Sequence, residues 1–115
     1  MAPAERSELL QGTLELLVLK TLSLEPMHGW GISQRIRAMS REILDVPQGS
    51  LYPALQRMKG KGWVRSEWRI TEHNRRARYY LLTPAGARQL RTERAAWARS
   101  AAAVEWVLGW EGTAP

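Results

Sequence analysis

Hydrophobic positions crowd the first quarter of the chain and then thin into periodic stripes. From about Ser7 to Leu24, Leu9, Leu10, Leu14, Leu16, Leu17, Val18, Leu19 and Leu22 cover more than one face of a helix, a pattern that calls for burial on several sides. A small domain has one side to offer, so a second apolar surface, a partner subunit, is expected. Glu25-Pro26-Met27-His28-Gly29 breaks this helix, because proline cannot continue it and glycine favours a tight reversal. His28 there is expected to hydrogen-bond local backbone. A second helix spans about Trp30 to Arg41, with Ile32, Ile36 and Met39 on one face. The third opens at Ser50 as N-cap, with Pro53 in the first turn where its missing N–H removes no intrahelical bond. Leu51, Leu55 and Met58 point to the core, which turns Pro53 and Gln56 outward and leaves Ser50, Tyr52, Arg57 and Lys59 on the flanks. Gly60-Lys61-Gly62 ends it.

Residues 63–70 then alternate, with Val64, Trp68 and Ile70 on one face and Arg65, Glu67 and Arg69 on the other, and residues 77–82 supply a second strand. The two make a hairpin with its tip at residues 71–76. Thr83-Pro84 is an N-cap followed by proline at the first helical position, opening a long helix to about Leu108. Leu90, Trp97 and Val104 recur along it at a spacing of seven, the mark of a helix packing along another helix. The expected dimer interface therefore joins Leu10, Leu14 and Leu17 of the first helix to Leu90, Trp97, Ala101, Val104 and Leu108 of the last. The predicted fold is mainly α with a β-hairpin. It is a winged helix-turn-helix over residues 1–83, with a dimerisation helix and tail over residues 84–115.

Charge adds a location to this outline. The net charge is +6, and Pro47 to Tyr80 alone carries eight Lys or Arg against two Glu, so the remainder of the chain cancels. A compact helix beside a basic hairpin suits a duplex, since phosphate contacts supply affinity and a narrow element must enter a groove. Candidate DNA-contacting residues are Gln48, Gly49, Ser50, Tyr52, Pro53, Gln56, Arg57 and Lys59 on the helix and Asn74, Arg75, Arg76 and Arg78 on the hairpin. A membrane surface is the other acidic partner a pI near 10.5 would suit. No apolar run is long enough to span one, and the basic residues lie on a helix-hairpin unit rather than a free amphipathic helix. With no Cys and two distant His there is no thiol or metal motif, no cofactor is expected, and no nucleophile or phosphate-cradling loop suggests an enzyme. Residues 1–8 lack a signal-peptide core, so a cytoplasmic location is expected. A winged-helix module that docks an acidic protein stands as the alternative to DNA binding.

Particular segments sharpen the picture. Leu10-Gln11-Gly12-Thr13-Leu14-Glu15-Leu16-Leu17-Val18-Leu19, Met27-His28-Gly29-Trp30-Gly31-Ile32, Gly49-Ser50-Leu51-Tyr52-Pro53-Ala54-Leu55 and Arg75-Arg76-Ala77-Arg78-Tyr79-Tyr80, followed by Leu82-Thr83-Pro84-Ala85-Gly86, resemble the PadR family of transcriptional regulators. Within that family the chain is similar to the short subgroup with a single C-terminal helix. The resemblance implies a homodimer that represses transcription from a roughly palindromic operator and is released by a small effector. It also implies that Ser50, Tyr52 and the hairpin arginines touch DNA. Trp30 stands where the family usually has Tyr, and Leu81 where a polar or basic residue is common. Six Trp in a chain without Phe raise one further question. Trp97 fits dimer packing, yet a flat ring on a two-fold seam also suits stacking on a planar apolar effector.

Overall fold

The computed structural model describes the backbone of residues 3–113 and the side chains of residues 13–113. Its elements run α1 (Pro3–Leu24), β1 (Met27–His28), α2 (Gly29–Met39), α3 (Gln48–Gly60), β2 (Val64–Ile70), β3 (Arg76–Leu82) and α4 (Pro84–Leu108). The strands form one antiparallel sheet in the order β1-β3-β2. β1, which the pattern of the chain did not announce, is two residues long, too short to show alternation. Met27 pairs with Tyr80 and His28 with Tyr79, converting the expected hairpin into a three-stranded sheet.

α1 is the central helix of the protomer, packed against α2, α3, α4 and β3. This accounts for the burial or half-burial of its leucines and valine from Leu14 to Leu22, while Leu24 stays exposed. Leu14, Val18, Leu19 and Leu22 are buried, and Thr21 is fully buried with its hydroxyl donating to the Leu17 carbonyl at 2.7 Å. Leu14 is only 2% exposed within one protomer, so its expected place at a dimer interface is corrected: the protomer's own core uses it up. Leu17 packs on the edge of that core. The Leu10 side chain lies outside the described residues.

α2 and α3 form the helix-turn-helix. His28 caps α2 by accepting the Gly31 N–H on Nδ1 at 3.0 Å, and Ile32 and Ile36 reach the core. The helix ends through Arg41 and Glu42, both left-handed, with the Glu42 N–H donating to the Arg37 carbonyl at 2.8 Å. α3 starts earlier than expected. Pro47 is its N-cap, the N–H groups of Ser50 and Leu51 both donate to the Pro47 carbonyl, and Ser50 is helical rather than the cap. Pro53 consequently sits inside the helix and does remove one intrahelical bond. What anchors the earlier start is tertiary: Gln48 Nε2 donates to Ser33 Oγ at 2.6 Å, and Ser33 Oγ donates to the Val46 carbonyl at 3.0 Å.

β2 and β3 pair from Val64↔Leu82 out to Ile70↔Arg76. At the tip the Asn74 N–H donates to the Thr71 carbonyl and the Thr71 N–H to the Arg75 carbonyl, with Asn74 left-handed at φ 58°. A four-residue turn closed by a left-handed residue favours Asn or Gly, so Asn74 shapes the tip. The face carrying Val64 is buried only at its base. Trp68 and Ile70, on the same face as Val64, are exposed because the hairpin runs out past the helices.

α4 is clipped to the preceding layer. Thr83 accepts the Gly86 N–H at 3.0 Å, donates its hydroxyl to the Gly62 carbonyl at 2.6 Å, and donates its backbone N–H to the Trp63 carbonyl at 3.0 Å. Gly86 is buried against Trp63, and Leu90 packs on the core. Beyond it the helix leaves the protomer, giving a longest dimension of 62 Å.

Candidate nucleic-acid interface

α3 presents a ridge opposite its buried Leu51, Ala54, Leu55 and Met58. At the helical advance of about 100° per residue, Gly49, Pro53, Gln56 and Gly60 lie farthest from the core. All four are exposed. Tyr52 and Lys59 flank the ridge on one side, Ser50 and Arg57 on the other. The Tyr52 ring rests over Gly29, where even a single added methyl would come within 2.8 Å of its hydroxyl, yet the ring remains half-exposed. Gln48 is spent on Ser33. Arg57 reaches back to α1, its Nε 3.3 Å from Glu15 Oε1, so it serves the protomer as well as the basic surface.

The hairpin, or wing, divides its charges by face. Glu67 takes Arg69 at 2.6 Å and Arg65 at 3.9 Å on one face. On the other, Arg76 and Arg78 lie over the Trp68 ring, with guanidinium carbons 4.9 and 4.8 Å from its centroid, and Arg78 Nη1 donates to Ser66 Oγ at 2.9 Å. Lys61 is near Glu15 at 3.9 Å. Among the described residues, therefore, Lys59, Arg75, Arg76 and Arg78 are the basic groups of this region with no carboxylate partner. The face with Arg76 and Arg78 is also the one that carries Val64, buried in the core, at its base. It continues inward to Tyr80, whose hydroxyl is pushed above its ordinary pKa mainly by burial and further by nearby Tyr52, with Arg78 pulling the other way.

Residues 18–92 match the sequence profile described as the transcriptional regulator PadR-like family. The chain belongs to the PadR family. Structural neighbours agree. A PadR family transcriptional regulator from Eggerthella lenta superposes with a TM-score of 0.78 at 29% identity, over 94% of this chain and 92% of that one. A PadR-like transcriptional regulator from Bacillus cereus gives 0.77 at 26% identity, over 90% and 99%. In sequence, an uncharacterized 37.1 kDa protein in a Streptomyces fradiae transposon is 39% identical over 85 residues, which are 74% of this chain and 23% of that protein. The chain thus spans about a quarter of the length of that relative. PadR proteins are DNA-binding transcriptional regulators rather than enzymes. Among the described residues there is no cluster of three metal-ligating side chains, and no helix is long and apolar enough to cross a membrane.

Within this PadR-family chain the structure brings Gly49, Pro53, Gln56, Tyr52 and Lys59 onto one side of α3. It diverts Gln48 and, in part, Arg57. Two features escaped the sequence. A groove of about 210 Å³ lined by Trp30, Ser33, Gln34, Arg37, Asp45, Val46, Pro47 and Gln48 opens where α2 meets the start of α3, and nothing local to either helix signals it. Trp68, by contrast, had a signal: an apolar alternation longer than the sheet's base could bury.

Proposed function

We propose that this PadR-family protein is a homodimeric, sequence-specific DNA-binding repressor acting in the cytoplasm and released by a small planar apolar effector. The observation that carries the DNA-reading part is the outer ridge of α3, whose Gly49, Pro53 and Gln56 are exposed, together with a wing face whose arginines are uncompensated. A ridge with neutral hydrogen-bonding groups at Gln56 and the flanking Tyr52 can read base edges in a major groove, while Arg75, Arg76 and Arg78 supply phosphate affinity. In a dimer the two α3 helices would lie about 34 Å apart if the half-sites are one turn apart.

Dimerisation is supported by the distal part of α4. Trp97, Val104, Trp106, Val107 and Leu108 are all exposed in the protomer, an apolar stretch that needs a cover. On this reading residues 1–83 form the DNA-binding unit and residues 84–115 the dimerisation helix and tail. Leu90 would fix the helix to its own core, and Trp97, Ala101, Val104 and Leu108 would face the partner, with Trp97 offering the flat surface for an effector.

The test is a titration of the purified protein against DNA from immediately upstream of its own coding region and a scrambled duplex, across a salt series. Gln56→Ala is expected to lower affinity for the upstream duplex by about 1–3 kcal/mol and leave scrambled DNA nearly unchanged. Arg75→Ala should weaken both and lower the salt slope by about one unit. Equal binding of both duplexes by the wild type would defeat the sequence-specific reading.

A further inference from the structure

The wing carries a tryptophan that the fold does not use. β2 continues past the point where the sheet has a core beneath it: Val64 is buried at its base, whereas Trp68 is 54% exposed. An indole left in water at the outer part of a hairpin gains little from burial. Its contacts are cationic instead. Trp68 pairs in register with Arg78, and Arg76 pairs with Ile70 one step farther out on the same face, so both guanidinium groups fall on the ring, 4.9 and 4.8 Å from its centroid.

Holding an arginine with a ring differs from holding it with a carboxylate. The ring's quadrupole attracts the guanidinium and restricts its rotamers, yet leaves the full positive charge available. On the opposite face Glu67 neutralises both Arg69 and Arg65, even though Arg69 also lies 5.4 Å from the Tyr79 ring centroid. The ring-held pair is the one on the face that runs inward to Tyr80, within electrostatic reach of Tyr52 on α3. Ser66 Oγ adds a neutral hydrogen bond from Arg78 at 2.9 Å, again ordering without cancelling charge.

We infer that Trp68 is a positioning residue for DNA binding, pre-arranging Arg76 and Arg78 as a fixed cationic pair before the duplex arrives. This rests on the DNA-binding reading above. Each long side chain ordered in advance spares part of the entropy otherwise lost on association, and two such arginines make the effect on affinity roughly tenfold.

The experiment compares wild type, Trp68→Leu, Trp68→Phe, Arg76→Ala and the Trp68→Leu/Arg76→Ala double variant on the upstream and scrambled duplexes. Leucine keeps apolar bulk without a π face, and phenylalanine keeps the face. Trp68→Leu is expected to bind both duplexes roughly tenfold more weakly, Trp68→Phe to stay within about threefold of wild type, and the double variant to lose less than the product of the single losses. In the free protein, the side-chain Nε–H resonances of Arg76 and Arg78 should carry ring-current shifts that survive in Trp68→Phe and vanish in Trp68→Leu. Losses that multiply, or a Trp68→Leu variant binding like wild type, overturn the inference while the DNA reading stands. A wild-type protein that binds neither duplex overturns both.

Discussion

Gly49 offers the cleanest separation of folding from function. It is the second residue of α3, its φ is negative, and an added Cβ would meet nothing within 4 Å. Among the described residues nothing therefore requires glycine there. Alanine should stabilise the helix by reducing the freedom of the unfolded chain, by about 0.4–1 kcal/mol. For a chain of this length that raises the melting temperature by about 2–5 °C. The same methyl would project from the exposed ridge of α3. If the α3 backbone approaches the duplex closely at Gly49, the extra methyl costs about 1–3 kcal/mol of overpacking, or about 5- to 150-fold in affinity. Calorimetry and fluorescence-anisotropy titrations on the same Gly49→Ala preparation thus predict opposite signs: a more stable protein that binds DNA less well. A variant that is more stable and binds the upstream duplex like wild type would refute the claim that DNA comes close at this glycine. A less stable variant would refute the account of the helix itself.

Gly86 should behave in the opposite way: a Cβ would overlap the Trp63 carbonyl oxygen and come within 2.7 Å of Leu82 Cδ1, so Gly86→Ala must push α4 off the sheet and strain the Thr83–Trp63 hydrogen bond. Thermal unfolding is expected to show a loss of about 2–4 kcal/mol. Glu42 adopts φ 65° directly after Arg41 at φ 55°, and Glu42→Gly should gain about 0.5–1 kcal/mol in denaturant titrations by removing the left-handed penalty. Tyr80 is held protonated by burial, with Tyr52 adding to the rise and Arg78 opposing it. Its pKa is higher folded than unfolded, so its contribution is fully present below about pH 10 and is lost as pH rises through the folded value. Stability measured across that alkaline range should fall less steeply in Tyr80→Phe. Val104→Glu places a charge on the exposed apolar stretch of α4, and light scattering should then report monomer or aggregate where the proposed reading expects a wild-type dimer.

Much of the interface was legible because it rests on local chemistry. Thr83-Pro84 marks the start of α4 by itself, since a hydroxyl that can accept an N–H and a proline that has none to lose suit a helix N-terminus in any context. The spacing of Leu51, Leu55 and Met58 likewise settles which side of α3 is outward, and with it Pro53 and Gln56. Other features depended on what another part of the chain contributes. The N-terminus of α3 moved from Ser50 to Gln48 because Ser33, on a different helix, engages Gln48 and the Val46 carbonyl. Arg57 was drawn toward Glu15 of α1, forty-two residues away.

The division reaches to the two helices that flank the helix-turn-helix and its wing. Their apolar character was plain in the sequence, but hydrophobic surface does not name its partner. Burial is non-directional, so the leucines of α1 could equally have faced a second subunit or their own chain. Packing against α2, α3, α4 and β3 decided for the latter at Leu14, Leu19 and Leu22. On α4 the same physics leaves Trp97, Val104 and Leu108 exposed, because among the described residues no other element lies over them. Residue type and spacing determined which positions seek burial or present charge; only the three-dimensional arrangement decided which groups found a partner within the protomer, because partners distant in sequence must first be brought within a few ångströms.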